Sequence, residues 1–509
     1  MAKRFKKTAI ACVALSGIMA FGACSGGASK GDAYYGVATG TPNYNFVEGN
    51  EEYTEIIENA FISANEQPTS YFSIDANTAS YPNLRSLINN NYAVSKDAVR
   101  VEEMLNYFDY DYQTPEGDEI LALTSSIFDT PYNEETKLLT IGLAAQEVEF
   151  QQMQNNLVFL IDVSGSMYSS DKLPLVQQAF MLLTENLNPN DRVSIVTYAG
   201  ADSVALDGAY GYEKQKIIAA ISDLEAGGST AGSKGINRAY QLAEKYFIEG
   251  ENNRVILATD GDFNVGLSKT KDLEDFISEK RQSGVYFSVF GVGRGNLKSE
   301  KMETLALNGN GTYAYIDSVR EARRALVEQI GGTLVTVAKD VKAGVIFNPE
   351  YIDSYRLIGY ENKLLTEEEF NDENTDAGEL GSGHTITVAY EIKLRERDTA
   401  QAYTGEELLA QVTLKYKPVS GAATNQETEK ESLLDIKLEN YHKELTDTDL
   451  FVSSVIEFAL LLRDSEYKGT ANFNSLVERL DTLDLANDEF KSEFRDLVKK
   501  YCERLQTQE

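Results

Sequence analysis

Between residues 151 and 332 the apolar positions alternate between two patterns. Short runs that are apolar almost throughout occur at Leu157–Ile161, Val193–Tyr198, Val255–Ala258, Val285–Phe290 and Tyr313–Ile316. Unbroken runs, in place of strict alternation, are what strands covered on both faces of a parallel sheet require. Between them, Leu173, Val176, Phe180, Leu183 and Leu187 recur at helical spacing, and Asn188-Pro189-Asn190 stops that helix. Ile236, Tyr240, Ala243 and Phe247 line a second helix, and Leu273, Phe276 and Ile277 mark a third. The alternation predicts an α/β domain over 151–332, a doubly wound, Rossmann-like sheet with helices on both faces.

The flanks read differently. Over 51–150, Thr54–Phe61 predicts a helix capped by Thr54. Phe72–Asp75 predicts a strand, Tyr81–Ile88 and Val99–Phe108 predict helices, and Leu138–Leu143 another strand. Over 333–445 the pattern is β-rich, at Val341–Phe347, Tyr355–Tyr360, Thr385–Leu394 and Leu408–Tyr416. The strands before and after the α/β domain are expected to form one sandwich into which that domain is inserted. The segment 446–509 is helical, with Val452, Val455, Phe458, Ala459 and Leu462 on one face, Leu476, Val477 and Leu480 on a second, and Phe494, Leu497, Val498 and Tyr501 on a third.

Composition narrows the function. The 509 residues carry 47 Lys+Arg against 80 Asp+Glu, a formal net charge of −33, with 3 Cys, 2 His and no Trp. Such acidity opposes nucleic-acid binding. Two histidines do not suit a His-based zinc enzyme, and three cysteines do not make a disulfide scaffold. At the amino end, Lys3, Arg4, Lys6 and Lys7 precede an apolar stretch from Thr8 to Ala20, then Phe21-Gly22-Ala23-Cys24. This is the layout of a secretory leader over 1–23, with Cys24 as a lipidation site. Residues 24–50, rich in Gly, Ser, Thr, Asn and Tyr, read as a tether. The protein is therefore expected on the extracytoplasmic face of a cell membrane, held by acyl chains. Loss of the four leader cations would deepen the charge to −37.

Chemistry-bearing residues sit where the predicted strands end. The first strand runs into Asp162-Val163-Ser164-Gly165-Ser166. The loop before Lys234 holds Gly227-Gly228-Ser229-Thr230. The strand at Val255 ends in Thr259-Asp260-Gly261. In doubly wound sheets the ligand crevice lies beyond the carboxyl ends of the strands. Asp162, Ser164, Ser166, Thr230 and Asp260 together supply two carboxylates and three hydroxyls, all hard oxygen donors suited to Mg²⁺, with Mn²⁺ and Ca²⁺ also compatible. Neutral hydroxyls leave much of a dication's charge uncancelled, so such a site seeks an anionic oxygen from outside. Asp262 could add charge to the rim.

At these residues the sequence resembles the von Willebrand factor A (vWA) family, whose metal-ion-dependent adhesion site is Asp-x-Ser-x-Ser followed by a distant Thr and a distant Asp. The resemblance implies that Ser164 and Ser166 ligate directly, that Thr230 and Asp260 do so directly or through water, and that Asp162 acts through water or orients its neighbours. It extends outward. Ser73–Tyr81 and Val101–Phe108 look like the N-terminal part, and Tyr355–Asn362 and Leu461–Ser465 the C-terminal part, of YfbK-type bacterial vWA lipoproteins. What it implies is a membrane-anchored vWA protein, not a known reaction; the donor set adds the expectation of a non-enzymatic binding protein that captures a carboxylate on a partner protein. The alternative is an envelope assembly or scaffold lipoprotein in which the metal is structural.

Other patterns carry less. Gly227–Lys234 reverses the Lys-Ser/Thr order of a phosphate loop. Gly291–Gly295 follows a late strand and reads as a turn. Asp372, Asn374 and Asp376 alternate like a calcium loop but lack its Gly and closing Glu. His384 and His442 have no nucleophile motif beside them, and Cys502 reads as a semi-buried helix residue. A hydrolytic role would need a general base that the hydroxyl-rich loops do not supply.

Overall fold

The computed structural model describes residues 53–148, 153–199, 201–228, 232–261, 270–294, 298–396, 404–419 and 428–506. The leader, the tether, Cys24, Thr230 and Asp262 lie outside the described residues.

The central α/β domain is built on a six-stranded sheet. Its spatial order is Tyr313–Ile316, Tyr286–Val292, Asn252–Thr259, Asn155–Asp162, Arg192–Ala199 and Ala201–Tyr210. All pairs are parallel except the last. Leu157, Val158, Phe159, Leu160 and Ile161 are each 0% exposed, as a strand covered on both faces requires. One face packs on the helix Leu173–Glu185, where Phe180 stacks on Phe159 at 4.2 Å between ring centroids. The other face packs on the helix Gly232–Lys245 through Ile236, Tyr240 and Ala243. From Asn155–Asp162 the chain first steps outward to Arg192–Ala199 and then returns to add Asn252–Thr259 on the other side. The order reverses between Asn155–Asp162 and Asn252–Thr259, which is where such a sheet opens a ligand crevice. At the opposite, amino-terminal edge the buried Asn156 and Asn252 amides donate across the same two strands to Asn253 Oδ1 at 3.0 Å and Asn155 Oδ1 at 2.9 Å.

Two further sheets form the sandwich. One is ordered Ile62–Ser63, Ile352–Ile358, Thr385–Leu394, Lys137–Ala145 and Leu121–Asp129. It joins strands from before and after the α/β domain. The other contains Gly378–Gly381, Thr336–Phe347, Leu408–Pro418 and Lys430–Lys437, with Thr69–Ser73 also paired to Thr336–Phe347. Phe72, Leu139, Val345, Tyr390 and Val412 belong to one shared core. The α/β domain is thus an insertion in a sandwich. A helical layer lies outside it. Tyr81, Met104 and Phe108 from the N-terminal helices share a core with Phe451, Phe458, Leu480 and Phe494 from the C-terminal ones.

The helix expected at Thr54–Phe61 does not form. Ile56 donates its N–H to Asp97 Oδ1 at 3.0 Å, and the Asn59 amide donates to the Leu357 and Gly359 carbonyls. These bonds hold the segment, which has no regular secondary structure, on its way to the sheet edge at Ile62–Ser63. No helix among the described residues is long and apolar enough to cross a membrane.

Candidate metal centre

Asp162 ends the strand Asn155–Asp162 and is fully buried. Both its oxygens are engaged. Oδ1 accepts the Ser164 N–H at 2.8 Å, and Oδ2 accepts the Tyr198 hydroxyl at 3.1 Å and the Thr259 hydroxyl at 3.3 Å. The register explains the set. Tyr198 is the strand partner of Asp162 on one side, and Thr259 follows the Ala258 that pairs with Ile161 on the other. Burial raises the Asp162 pKa above the ordinary carboxylate range. The Ser164 N–H opposes the shift, and the neighbouring charge of Asp260 adds to it.

Beyond Asp162 the chain turns into a short 3₁₀ helix, Gly165–Tyr168. Ser164 is buried, Ser166 is half-buried, and their hydroxyl oxygens lie 3.0 Å apart. The second loop is tied to the first by backbone bonds: the Gly227 N–H donates to the Val163 carbonyl at 2.7 Å, and the Gly165 N–H to the Gly228 carbonyl at 3.2 Å. Gly228 has φ +92°, and a Cβ there would lie 3.2 Å from the Ala199 carbonyl oxygen. This backbone conformation, close against the end of the strand Arg192–Ala199, favours glycine. Asp260 follows the strand Asn252–Thr259 and is buried.

The structure thus gathers Asp162, Ser164, Ser166 and Asp260 at the switch point of the sheet. Thr230 belongs to the Gly227–Gly228 loop but is not among the described residues. Three participants were not singled out from sequence. Tyr198 and Thr259 bond Asp162, and the Lys172 ammonium lies 2.7 Å from Asp260 Oδ2 with its side chain almost wholly buried. The rim carries an exposed aromatic, Tyr168, at 82%. It also carries Arg294, which pairs with Asp171 at 3.2 Å and lies over the Tyr92 ring.

A hard divalent cation fits the chemistry of this donor set. Ser164, Ser166 and Asp260 offer oxygens that could hold it, with Asp162 fixing the loop behind them. Such an ion would supply positive charge able to take a carboxylate from outside. Among the described residues no group of three or more His, Cys, Asp or Glu is placed to bind a metal. Among the described residues, an ion here would therefore depend on the serines.

The remaining patterns do not gather. Asp372 is exposed and accepts from the Asn374 N–H and side-chain amide, while Asp376 pairs with Arg281 at 2.7 Å. Gly293 makes the turn after Tyr286–Val292 with φ +75°. His442 bonds Asp449 at 2.7 Å, and Cys502 is buried on the helix Glu489–Gln506.

Comparison with known proteins places these observations. Residues 156–329 match the von Willebrand factor type A domain, residues 47–140 a family described as von Willebrand factor, and residues 332–503 the C-terminal family of the uncharacterized protein YfbK. The chain is 42% identical over 354 residues to the uncharacterized protein YfbK of Escherichia coli, a match covering 68% of this chain and 62% of that protein. It is 24% identical over 264 residues to human inter-alpha-trypsin inhibitor heavy chain H3, covering 48% of this chain and 29% of that one. The chain thus spans under two thirds of the length of these relatives. Among solved structures, a von Willebrand factor type A protein from Catenulispora acidiphila aligns with TM-score 0.41 at 18% identity, over 77% of this chain and 91% of that one. This chain is a YfbK-like protein with a von Willebrand factor A domain at its centre.

Proposed function

We propose that this protein is a lipid-anchored binding protein on the extracytoplasmic face of a cell membrane, and that its vWA domain captures an acidic side chain of a partner protein through a bound divalent cation, with Mg²⁺ the ion its hard oxygen donors suit. The vWA domain is an interaction domain. The observation that carries the finer reading is the convergence of Asp162, Ser164, Ser166 and Asp260 on the crevice where the strand order reverses. The exposed Tyr168, two residues beyond Ser166, has the character of an aromatic anchor at the centre of an interface. The hydroxyl-rich shell supports binding better than turnover, because both Asp162 oxygens accept hydrogen bonds and Asp260 Oδ2 is paired with Lys172.

Affinity capture from an envelope fraction, with and without a chelator, tests the reading. Partners should be retained with Mg²⁺ and lost on chelation and in Asp162→Ala. Retention of the same partners after chelation would instead support the scaffold reading, in which the sandwich and helical modules bind and the metal is structural.

A further inference from the structure

The lysine beside the centre is placed against the local preferences of the chain. Lys172 is the N-cap of the helix Leu173–Glu185, where the helix dipole disfavours a cation. It is 7% exposed, although lysine is rarely buried unless paired. Two features hold it there. Its ammonium lies 2.7 Å from Asp260 Oδ2. Its aliphatic stem runs over Gly293, where an added Cβ would come within 2.4 Å of Lys172 Cγ and 2.5 Å of Cε. Gly293 is itself pinned, with φ +75° and its carbonyl accepting the Tyr315 hydroxyl at 2.8 Å. A loop from another strand is therefore shaped to admit the stem and deliver the charge to Asp260.

Two carboxylates and one ammonium give the centre a single net negative charge. A dication that binds beside Lys172 meets half of the attraction the two aspartates would otherwise exert. Once bound, it leaves the centre one anion short. We infer that Lys172 is a built-in counter-cation of the metal centre. It competes with the metal for Asp260, holds metal affinity down, and makes an external carboxylate the group that completes the charge balance. This rests on the metal-centre reading above and concerns the regulation of that same site.

The test is calorimetric titration of the full chain with Mg²⁺ alone, for wild type, Lys172→Met and Gly293→Ala. Lys172→Met keeps an apolar stem over Gly293 and removes the charge. Gly293→Ala keeps the charge and displaces the stem. Both should tighten Mg²⁺ binding at least ten-fold. In chelator, Lys172→Met should melt below wild type, and Mg²⁺ should restore more of its melting temperature than it adds to wild type. Binding that appears only in the variants supports the inference equally, as complete masking by the lysine. Wild-type binding that is unchanged or weakened in folded Lys172→Met and Gly293→Ala overturns it and leaves the metal centre standing. Absence of binding in all three proteins overturns the metal centre itself.

Discussion

At the scale of single residues, the centre is organised by groups whose roles come from different strands. Tyr198 reaches Asp162 only because the two strands are in parallel register. Its hydroxyl orients a carboxylate that in turn holds the Ser164 N–H, so Tyr198→Phe should weaken Mg²⁺ binding about ten-fold. Calorimetry checks this, with an unchanged circular-dichroism spectrum as the control for folding. His384 is a second case. It is half-buried before the strand Thr385–Leu394, its buried Nδ1 has no hydrogen-bond partner among the described residues, and its ring abuts Gly332 so closely that a Cβ there would lie 2.5 Å away. Burial, reinforced by Arg324, pushes its pKa down to about 4 from 6.5. The folded state binds its proton less readily than the unfolded state. The stability this contributes is therefore full above about pH 6.5 and is lost as pH falls toward 4, by up to about 3 kcal/mol. In urea unfolding at several pH values, the difference between wild type and His384→Gln should shrink by that amount between pH 7 and pH 4. Asp162, Ser164, Ser166 and Asp260 were legible in sequence because hard donors at strand ends form a local pattern. Lys172 was not, because a lysine at a helix start looks like surface until Gly293 and Asp260 are brought to it.

At the scale of elements, strands covered on both faces were legible, and so was the alternating Leu408–Pro418, whereas the polar edge strand Ala201–Tyr210 was not. Leu157–Ile161 announces itself, whereas Ala201–Tyr210 mixes Asp202, Ser203 and Asp207 among its apolar residues and lies at the sheet edge. Thr54–Phe61 has a helical pattern that distant hydrogen bonds override. The junctions between elements were also hidden. Arg85, on the helix Ser80–Asn89, pairs with Asp317 at 2.6 Å, Glu321 at 2.7 Å and Glu493 at 2.9 Å. Those carboxylates belong to the end of the vWA sheet, the helix Val319–Arg323 and the helix Glu489–Gln506. One buried guanidinium thus ties three parts of the chain together. Arg85→Met would leave Asp317 and Glu321 buried with less compensation, at a cost of about 3–5 kcal/mol. A fall of that size in the unfolding free energy, with Mg²⁺ affinity retained, is the expected result.

At the scale of the whole molecule, the insertion of the vWA domain into a sandwich was legible, because strand patterns flank the α/β pattern on both sides. The helical layer shared by the two ends was not. Helix faces at 80–108 and 447–506 show which residues are buried but not that they bury one another. The net charge of −33 also gains meaning only at this scale. An acidic surface draws divalent cations in and repels acidic proteins, so the bound ion would be the one point at which a carboxylate is welcome. The central claim is that the three converging loops hold that ion. Its most direct test is titration of the intact chain with Mg²⁺, comparing wild type with Asp162→Ala at matched secondary structure. The account predicts one binding event in wild type, abolished or weakened at least a hundred-fold in the variant. Equal binding by the two proteins, or none by either and none by Lys172→Met, would contradict it.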